Sequence, residues 1–496
     1  MKLLWGDIHN HCGITYGYGS LENALERAKS QLDFCTITGH AMWPDMPNRT
    51  PETAFVVDFH KAGFSKLKQN WEQIRQTVAK ANTDDFITFQ GYEMHSSEYG
   101  DHHIVSLQDN LDLVYEDSPK ALLEHAGAKA LMVCHHIGYT PNYRGINWDK
   151  YNQDIVPLIE VFSKHGCGMS ETAPYPYYHN MGPRDSRNTV YEGLKRGFRF
   201  GFVGSTDHHA GFPGSYGDGK MAVWAEEKSR ESIFEAMLQR RTYAVTGDKI
   251  ECDFFVNNAP MGSVLTSNDR PREISYQVKA WYPIDKIVVY KNLKPLRIVE
   301  GLLLEPSPAD KRYCFRIEMG WGDNSDSLFQ WEGSLSIENG EIIHTQPCWR
   351  GRSVLAPSST DTHGFDYVND MEDKIVEQTP NSVQWQCYTV KNISPLHPQT
   401  CSVIFEVEGN PDTQLHICVN GNSRTMSIGE LLEYGYTQHT KPYHSQAFKV
   451  HRAVSESQYS VRGIFTDADC QQNDFYHMEV YQQNGSCAFV TPVYFE

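Results

Sequence analysis

Along the first half of the chain, apolar positions switch between two periods. Leu21, Ala24, Leu25 and Ala28 recur at helical spacing behind Ser20, whose hydroxyl suits an N-cap. Phe34-Cys35-Thr36-Ile37-Thr38 then forms a short apolar run of strand length. Helical spacing returns over 59–82, where Phe64, Leu67, Trp71, Ile74 and Val78 make one stripe, and a strand is expected at Phe86-Ile87-Thr88-Phe89. Ser118-Pro119 reads as an N-cap followed by proline at the first helical position, and 130–134, 158–162 and 200–204 continue the strands. Strand and helix in alternation predict a parallel sheet, and this many repeats predict a closed α/β barrel.

The pattern changes near Thr246-Gly247-Asp248. Beyond it, period-two segments such as 274–281 are separated by Asn, Gly, Pro and Asp clusters, with one helical excursion around 427–434. Two domains are therefore expected: an α/β barrel over 1–247 and a β-sandwich-like domain over 248–496. A chain of 496 residues is also too long for one ordinary core.

Composition narrows the function. The formal net charge is −18 and no basic run occurs, which argues against nucleic acid or an anionic membrane as a partner. No run of 18 apolar residues is present, and Met1 to His9 leaves no room for an apolar signal region, so a cytoplasmic location is expected. Twelve cysteines without a C-x-x-C pair disfavour a zinc ribbon or a thioredoxin-type site.

Histidine carries the strongest signal, since 14 of 22 fall in the first 209 residues. Imidazoles and carboxylates recur just past the expected strands: His9 and His11, His40, Glu93, His135 and His136, then Asp207 and His209. In a parallel barrel these strand ends converge on one rim, where nitrogen ligands and bridging carboxylates can hold several cations. Each piece has a plainer reading. His9 and His11 could be a polar strand edge, Glu93 a salt-bridge partner, and Asp207-His208-His209 a helix cap with exposed rings.

Gly6-Asp7-Ile8-His9-Asn10-His11 and Leu32-Asp33-Phe34-Cys35-Thr36-Ile37-Thr38-Gly39-His40 resemble the opening of the PHP (polymerase and histidinol phosphatase) superfamily. Gly91-Tyr92-Glu93, His135-His136 and Gly204-Ser205-Thr206-Asp207-His208-His209 are similar to its later motifs, in the same order. Residues 159–166, 241–247 and 475–494 resemble a branch in which the PHP domain is fused to a C-terminal β-domain. The resemblance implies a distorted (β/α)7 barrel and two or three divalent ions (Zn, Mn or Fe). By position, His9, His11, Glu93 and Asp207 would hold one ion. Glu93, His135 and either His102 or His103, with His102 preferred, would hold a second. His40 and His209 would serve a third. Two departures bear on that third site: Tyr16-Gly17-Tyr18 stands where the family supplies a further histidine, and Thr38-Gly39-His40 replaces threonine-aspartate-histidine.

The activity expected is hydrolysis of a small, anionic phosphate ester by a metal-activated water. Asp7 would orient a ligating imidazole or act as a structural cap. His165 or His208 would protonate the leaving oxygen, unless they are surface residues. Arg144, Arg184 and Arg187 are candidates for gripping an anion, or ordinary loop arginines. Two rival readings are a hydrolase of an amide, lactone or carboxylic ester at the same centre, and a binding protein whose barrel is metal-stabilised.

Overall fold

The computed structural model describes residues 1–267, 270–322, 328–357, 372–390 and 398–496. Strand β1 (Lys2–Asp7) leads into α1 (Leu21–Lys29), whose first turn is capped as expected, the Ser20 hydroxyl accepting from Asn23 N. β2 (Phe34–Met42) pairs in parallel with β1. α2 (Ala54–Ala81) then crosses to β3 (Ile87–Met94), which lies parallel to β2. Phe64, Leu67, Trp71, Ile74 and Val78 are buried along α2, but the helix starts at Ala54 rather than 59. The added N-terminal turn carries Phe55.

The parallel series breaks next. β4 (His102–Ser106) runs antiparallel to β3, because the short link 95–101 permits a reversal and no crossover helix. No strand is expected there from the sequence, whose His102-His103 opening hides the apolar run. After α3 (Pro119–His125), β5 (Ala130–Cys134) is antiparallel to β4 and parallel to β6 (Leu158–Ser163). β7 (Gly166–Cys167) folds back on β6, and after α4 (Val190–Lys195) β8 (Gly201–Gly204) pairs in parallel on the other side of β6. β9 (Lys220–Ala225) is antiparallel to β1 and, beyond α5 (Arg230–Leu238), to β10 (Thr242–Val245).

The sheet curls until β8 meets β9 again. Gly204 lies so close that a Cβ there would stand 2.5 Å from the Lys220 carbonyl oxygen. Inside the curl, Leu4, Phe34, Phe89, Val133 and Val203 pack with Ile233 and Phe234 of α5. Such a plug of branched and aromatic side chains supports the strand ends above it.

Strands beyond residue 247 extend this sheet. Cys487–Phe495 pairs with β10, Phe475–Gln482 pairs with it in turn, and Ile284–Lys291 and Lys294–Glu300 complete the edge. Two further sheets face each other across a separate core, in which Phe315, Ile317 and Met319 meet Trp331, Leu335 and Trp385. A fourth sheet contains Glu251–Val256 and Arg272–Lys279. The helix expected around 427–434 is present as Ile428–Glu433, closed by a reciprocal capping box between Ser427 and Glu430.

One buried polar junction ties these parts together. Asp248, just past β10, pairs with Arg316 of the facing-sheet region and accepts from Tyr216, Gln482 and Asn484. All twelve cysteines are free. Among the described residues, no helix is long and apolar enough to cross a membrane.

Candidate metal centre

The residue between the first two histidines sets their direction. Asn10 donates from Nδ2 to the Thr36 carbonyl oxygen at 2.9 Å, pinning the turn after β1 to β2. His9 Nδ1 meets Thr38 Oγ1 at 2.8 Å, which fixes the ring and leaves Nε2 facing inward. Strand register adds the next three groups: His40 of β2 is opposite Glu93 of β3, and Glu93 is opposite His103 of β4. They therefore share one side of the sheet.

That register separates His103 from His102. His103 Nδ1 lies 3.3 Å from His135 Nδ1, and His9, His103 and His135 group their nitrogens closely enough for a common cation. His102 points elsewhere, with its Nδ1 2.8 Å from the Gly100 carbonyl oxygen, and it belongs to none of the candidate metal groups among the described residues. The preference for His102 read from the sequence is thus reversed by the alternation of a strand.

Glu93 is the hub. Its Oε1 lies 3.1 Å from His135 Nε2 and 3.5 Å from His95 Nε2. Its Oε2 lies 3.3 Å from His40 Nε2, 3.4 Å from His11 Nε2 and 4.0 Å from His9 Nε2. Asp207 approaches from the β8 loop, with Oδ1 3.1 Å from His11 Nε2 and 3.4 Å from His9 Nε2. His209 Nε2 is 3.3 Å from His40 Nε2, and His11, His40 and His209 form another candidate group.

Three members of the cluster lie outside the ligand set expected from sequence. His95 joins His40 and Glu93, while Asp101 and His136 join Glu93 and His135. Glu93-Met94-His95 has the spacing that returns a side chain to the same face at a strand end, which is the signal that could have found His95. Asp101 holds a short arc of its own, with Oδ2 3.2 Å from His95 Nδ1, 3.3 Å from His136 Nε2 and 3.1 Å from Arg144 Nε.

The donor set fits divalent ions. His9 Nε2, Glu93 Oε2 and His103 Nε2 are buried and make no hydrogen bond within the described structure, an arrangement that costs stability unless something accepts their lone pairs. Burial pushes the His11 imidazole down to about 4 and His95 to about 3. It also holds His40, His103, His135 and His209 well below the usual range, so the rings are neutral at physiological pH, the form that can donate a lone pair to a cation. Burial, then the negative charges of Asp101 and Asp207, raise the Glu93 carboxyl well above its ordinary value. This centre is short of positive charge, as an acidic metal site is before its cations are counted.

The remaining expected residues divide. Asp7 touches no ligating ring; its carboxylate accepts from Thr206 N at 3.1 Å, Thr206 Oγ1 at 2.5 Å, Gly214 N at 2.9 Å and His9 N at 3.2 Å. It is a structural pin between β1 and the loop after β8. His165 does reach the centre, with Nε2 2.9 Å from Asp207 Oδ2 and Nδ1 2.6 Å from the Tyr139 hydroxyl. His208 is buried but turned away: its Nδ1 accepts from Ala210 N at 3.1 Å and its ring faces Phe212. Arg144 lines the cavity above the centre, whereas Arg184 is spent on the carbonyls of Cys167, Glu171 and Ala173, and Arg187 on Asp185. Tyr16 stacks on His40 at 4.0 Å. The cavity measures about 600 Å³ and has Glu93, Asp207, His40 and His209 in its floor.

Comparison with known proteins places these observations. A family model described as "Protein of unknown function (DUF3604)" matches residues 215–278. An uncharacterised protein of Chlamydia trachomatis is 26% identical over 381 residues, covering 70% of this chain and 57% of that protein. One from Chlamydia muridarum is 27% identical over the same length, with the same coverage. The chain thus spans little more than half the length of these relatives. Among solved structures, a two-domain Bacteroides vulgatus protein containing a predicted PHP-like metal-dependent phosphoesterase has a TM-score of 0.33 at 17% identity, covering 58% of this chain and 79% of its own. The lesion-specific endonuclease EndoQ of Pyrococcus furiosus has a TM-score of 0.28 at 12% identity, covering 48% and 56%.

Proposed function

We propose that this chain is a metal-dependent hydrolase of a small phosphate ester, with its metals held by residues 1–247 and part of the cavity wall supplied by 248–496. The observation that carries the reading is the buried gathering of His9, His11, His40, Glu93, His103, His135 and His209, with Asp207 Oδ1 against His9 and His11 and with nitrogen and oxygen atoms left without hydrogen bonds. The motif resemblance to PHP proteins supports phosphoester chemistry in particular. His9, His11, Glu93 and Asp207 would hold one ion, Glu93, His103 and His135 would hold a second, and His11, His40 and His209 would offer a third place.

Bound divalent cations supply Lewis acidity and offset the charge that accumulates on a phosphoryl group. Glu93 and Asp207 would supply negative charge to balance bound cations. His165, held between the Tyr139 hydroxyl and Asp207, is placed to hand a proton to the departing alcohol oxygen. Arg144, already paired with Asp101, leans over the cavity and adds positive potential where an anion enters.

Metal analysis and a substrate panel test this reading. Protein purified without chelator should carry about two or three transition-metal ions per chain, and should cleave phosphoesters with added Mn²⁺ or Zn²⁺. His9→Ala and Asp207→Ala should lose metal and more than about a hundredfold in kcat/KM together. Hydrolysis of an amide, lactone or carboxylic ester with no phosphoester turnover would transfer the site to the rival chemistry. Less than one ion per chain and no hydrolysis would leave a binding protein.

A further inference from the structure

The walls of the cavity differ sharply from its floor. Phe55 and Phe59 come from the first turns of α2, Trp43 from the end of β2, and Tyr143 from the loop after β5. Leu355 and Pro357 close the far side. Exposed apolar residues scattered singly are ordinary on a protein surface. Here Phe55, 75% exposed, and Tyr143, 59% exposed, stand on the rim of one cavity whose deeper wall is Trp43 and Phe59. Phe59 packs on Tyr16 at 4.6 Å, and Tyr16 in turn stacks on His40. An aromatic path thus runs from solvent to the metal-binding floor.

Charge supplies the second constraint. Among the described residues lining the cavity, Arg144 is the single lysine or arginine. Its guanidinium is already engaged, by Asp101 at 3.1 Å and by the Trp43 ring at 5.3 Å. A diphosphate or a polyphosphate needs several cations along its length. The carboxylates and most of the imidazoles lie in the floor, Arg144 stands above them, and the walls set the aromatic rings beside a few uncharged polar groups, Ser97, Asn142 and Asn180.

Resting on the hydrolase reading above, we propose that the substrate carries a single phosphoryl group on an alcohol bearing a planar aromatic ring, the phosphoryl at the metal floor and the ring against Trp43, Phe59 and Phe55. Hydrolysis consumes one water: its oxygen bonds to phosphorus, the ester P–O bond breaks with its electron pair on the alcohol oxygen, and that oxygen takes a proton.

The test compares 2-naphthylmethyl phosphate with ethyl phosphate on the metal-loaded full chain. Their leaving alcohols are of similar basicity, so intrinsic reactivity does not set the preference. The aromatic ester should be favoured in kcat/KM by on the order of tenfold or more, and Trp43→Ala or Phe59→Ala should remove most of that ratio. Phe55→Ala, at an exposed position, supplies the same test if either of those variants misfolds. A ratio near one, or a ratio unmoved in every variant that folds, overturns the proposal while leaving the phosphatase reading intact. Binding of 2-naphthylmethylphosphonate, followed by naphthyl fluorescence, separates the two ideas further. Phe59-dependent binding without turnover of either phosphate sinks the phosphatase reading and keeps the aromatic pocket. Neither turnover nor binding sinks both.

Discussion

Asp7 accepts hydrogen bonds from the backbone of Thr206 and Gly214, each about two hundred residues further along the chain, as well as from His9. Both of its oxygens are used as acceptors, so an amide in its place would set one N–H group against other donors. Asp7→Asn is therefore expected to cost on the order of 3 kcal/mol, read as a lower urea midpoint with unchanged slope, and to reduce bound metal because Asp207 sits on the tethered loop. An unchanged midpoint would remove the pin. The same residue shows what could be read early and what could not. That His9, His11, His40, Glu93, His135, Asp207 and His209 gather in one buried cluster is legible in the sequence because each lies at or just past the C-terminal end of a strand and strand ends converge. Whether a neighbouring carboxylate such as Asp7 touches the ligands or the backbone depends on where the next loop passes, and sequence spacing says nothing of that.

At the scale of single elements, α2 illustrates how one position can serve two masters. Gly63 lies within this helix, where alanine would ordinarily add about 1 kcal/mol of helix stability. A Cβ at Gly63 would stand 2.4 Å from Tyr16 Cδ1, and Tyr16 is the ring stacked on His40. Overpacking of that kind costs about 1–3 kcal/mol, so the clash wins. Gly63→Ala should lower the thermal midpoint slightly and weaken metal retention at the His40 end of the site. A rise in both would show that Tyr16 moves freely. The stripe of α2 was legible because five apolar residues repeat at helical spacing. β4 was not, since His102-His103 reads as polar loop until the register with Glu93 is known, and the error over which histidine faces inward follows directly.

On the scale of the whole molecule, the Asp248 junction joins the curled sheet to the facing sheets and to the final hairpin. Burial alone would raise the Asp248 carboxyl. The Arg316 charge and the bonds from Asn484, Arg316 and Gln482 outweigh it, leaving the carboxyl below its ordinary value of 3.8. A depressed acid adds stability that is complete above the unfolded pKa and is lost as the pH falls through the lower folded value. Asp248→Asn should thus destabilise the protein by about 3–5 kcal/mol at neutral pH, with the gap to the native protein closing below pH of about 4. A gap independent of pH would mean that the pair is not the source. The change of pattern near residue 247 was plain in the sequence, yet the return of 475–495 to the first sheet was not, because period-two strands carry no label of their partner.

That return has a consequence for how the chain is made. Cys487–Phe495 completes the edge of β10 and leaves the ribosome about 240 residues after it. At ~5–20 residues per second, the β10 edge waits roughly 10–50 s for its native neighbour. Throughout that wait an apolar strand with open amide groups is available to other nascent chains.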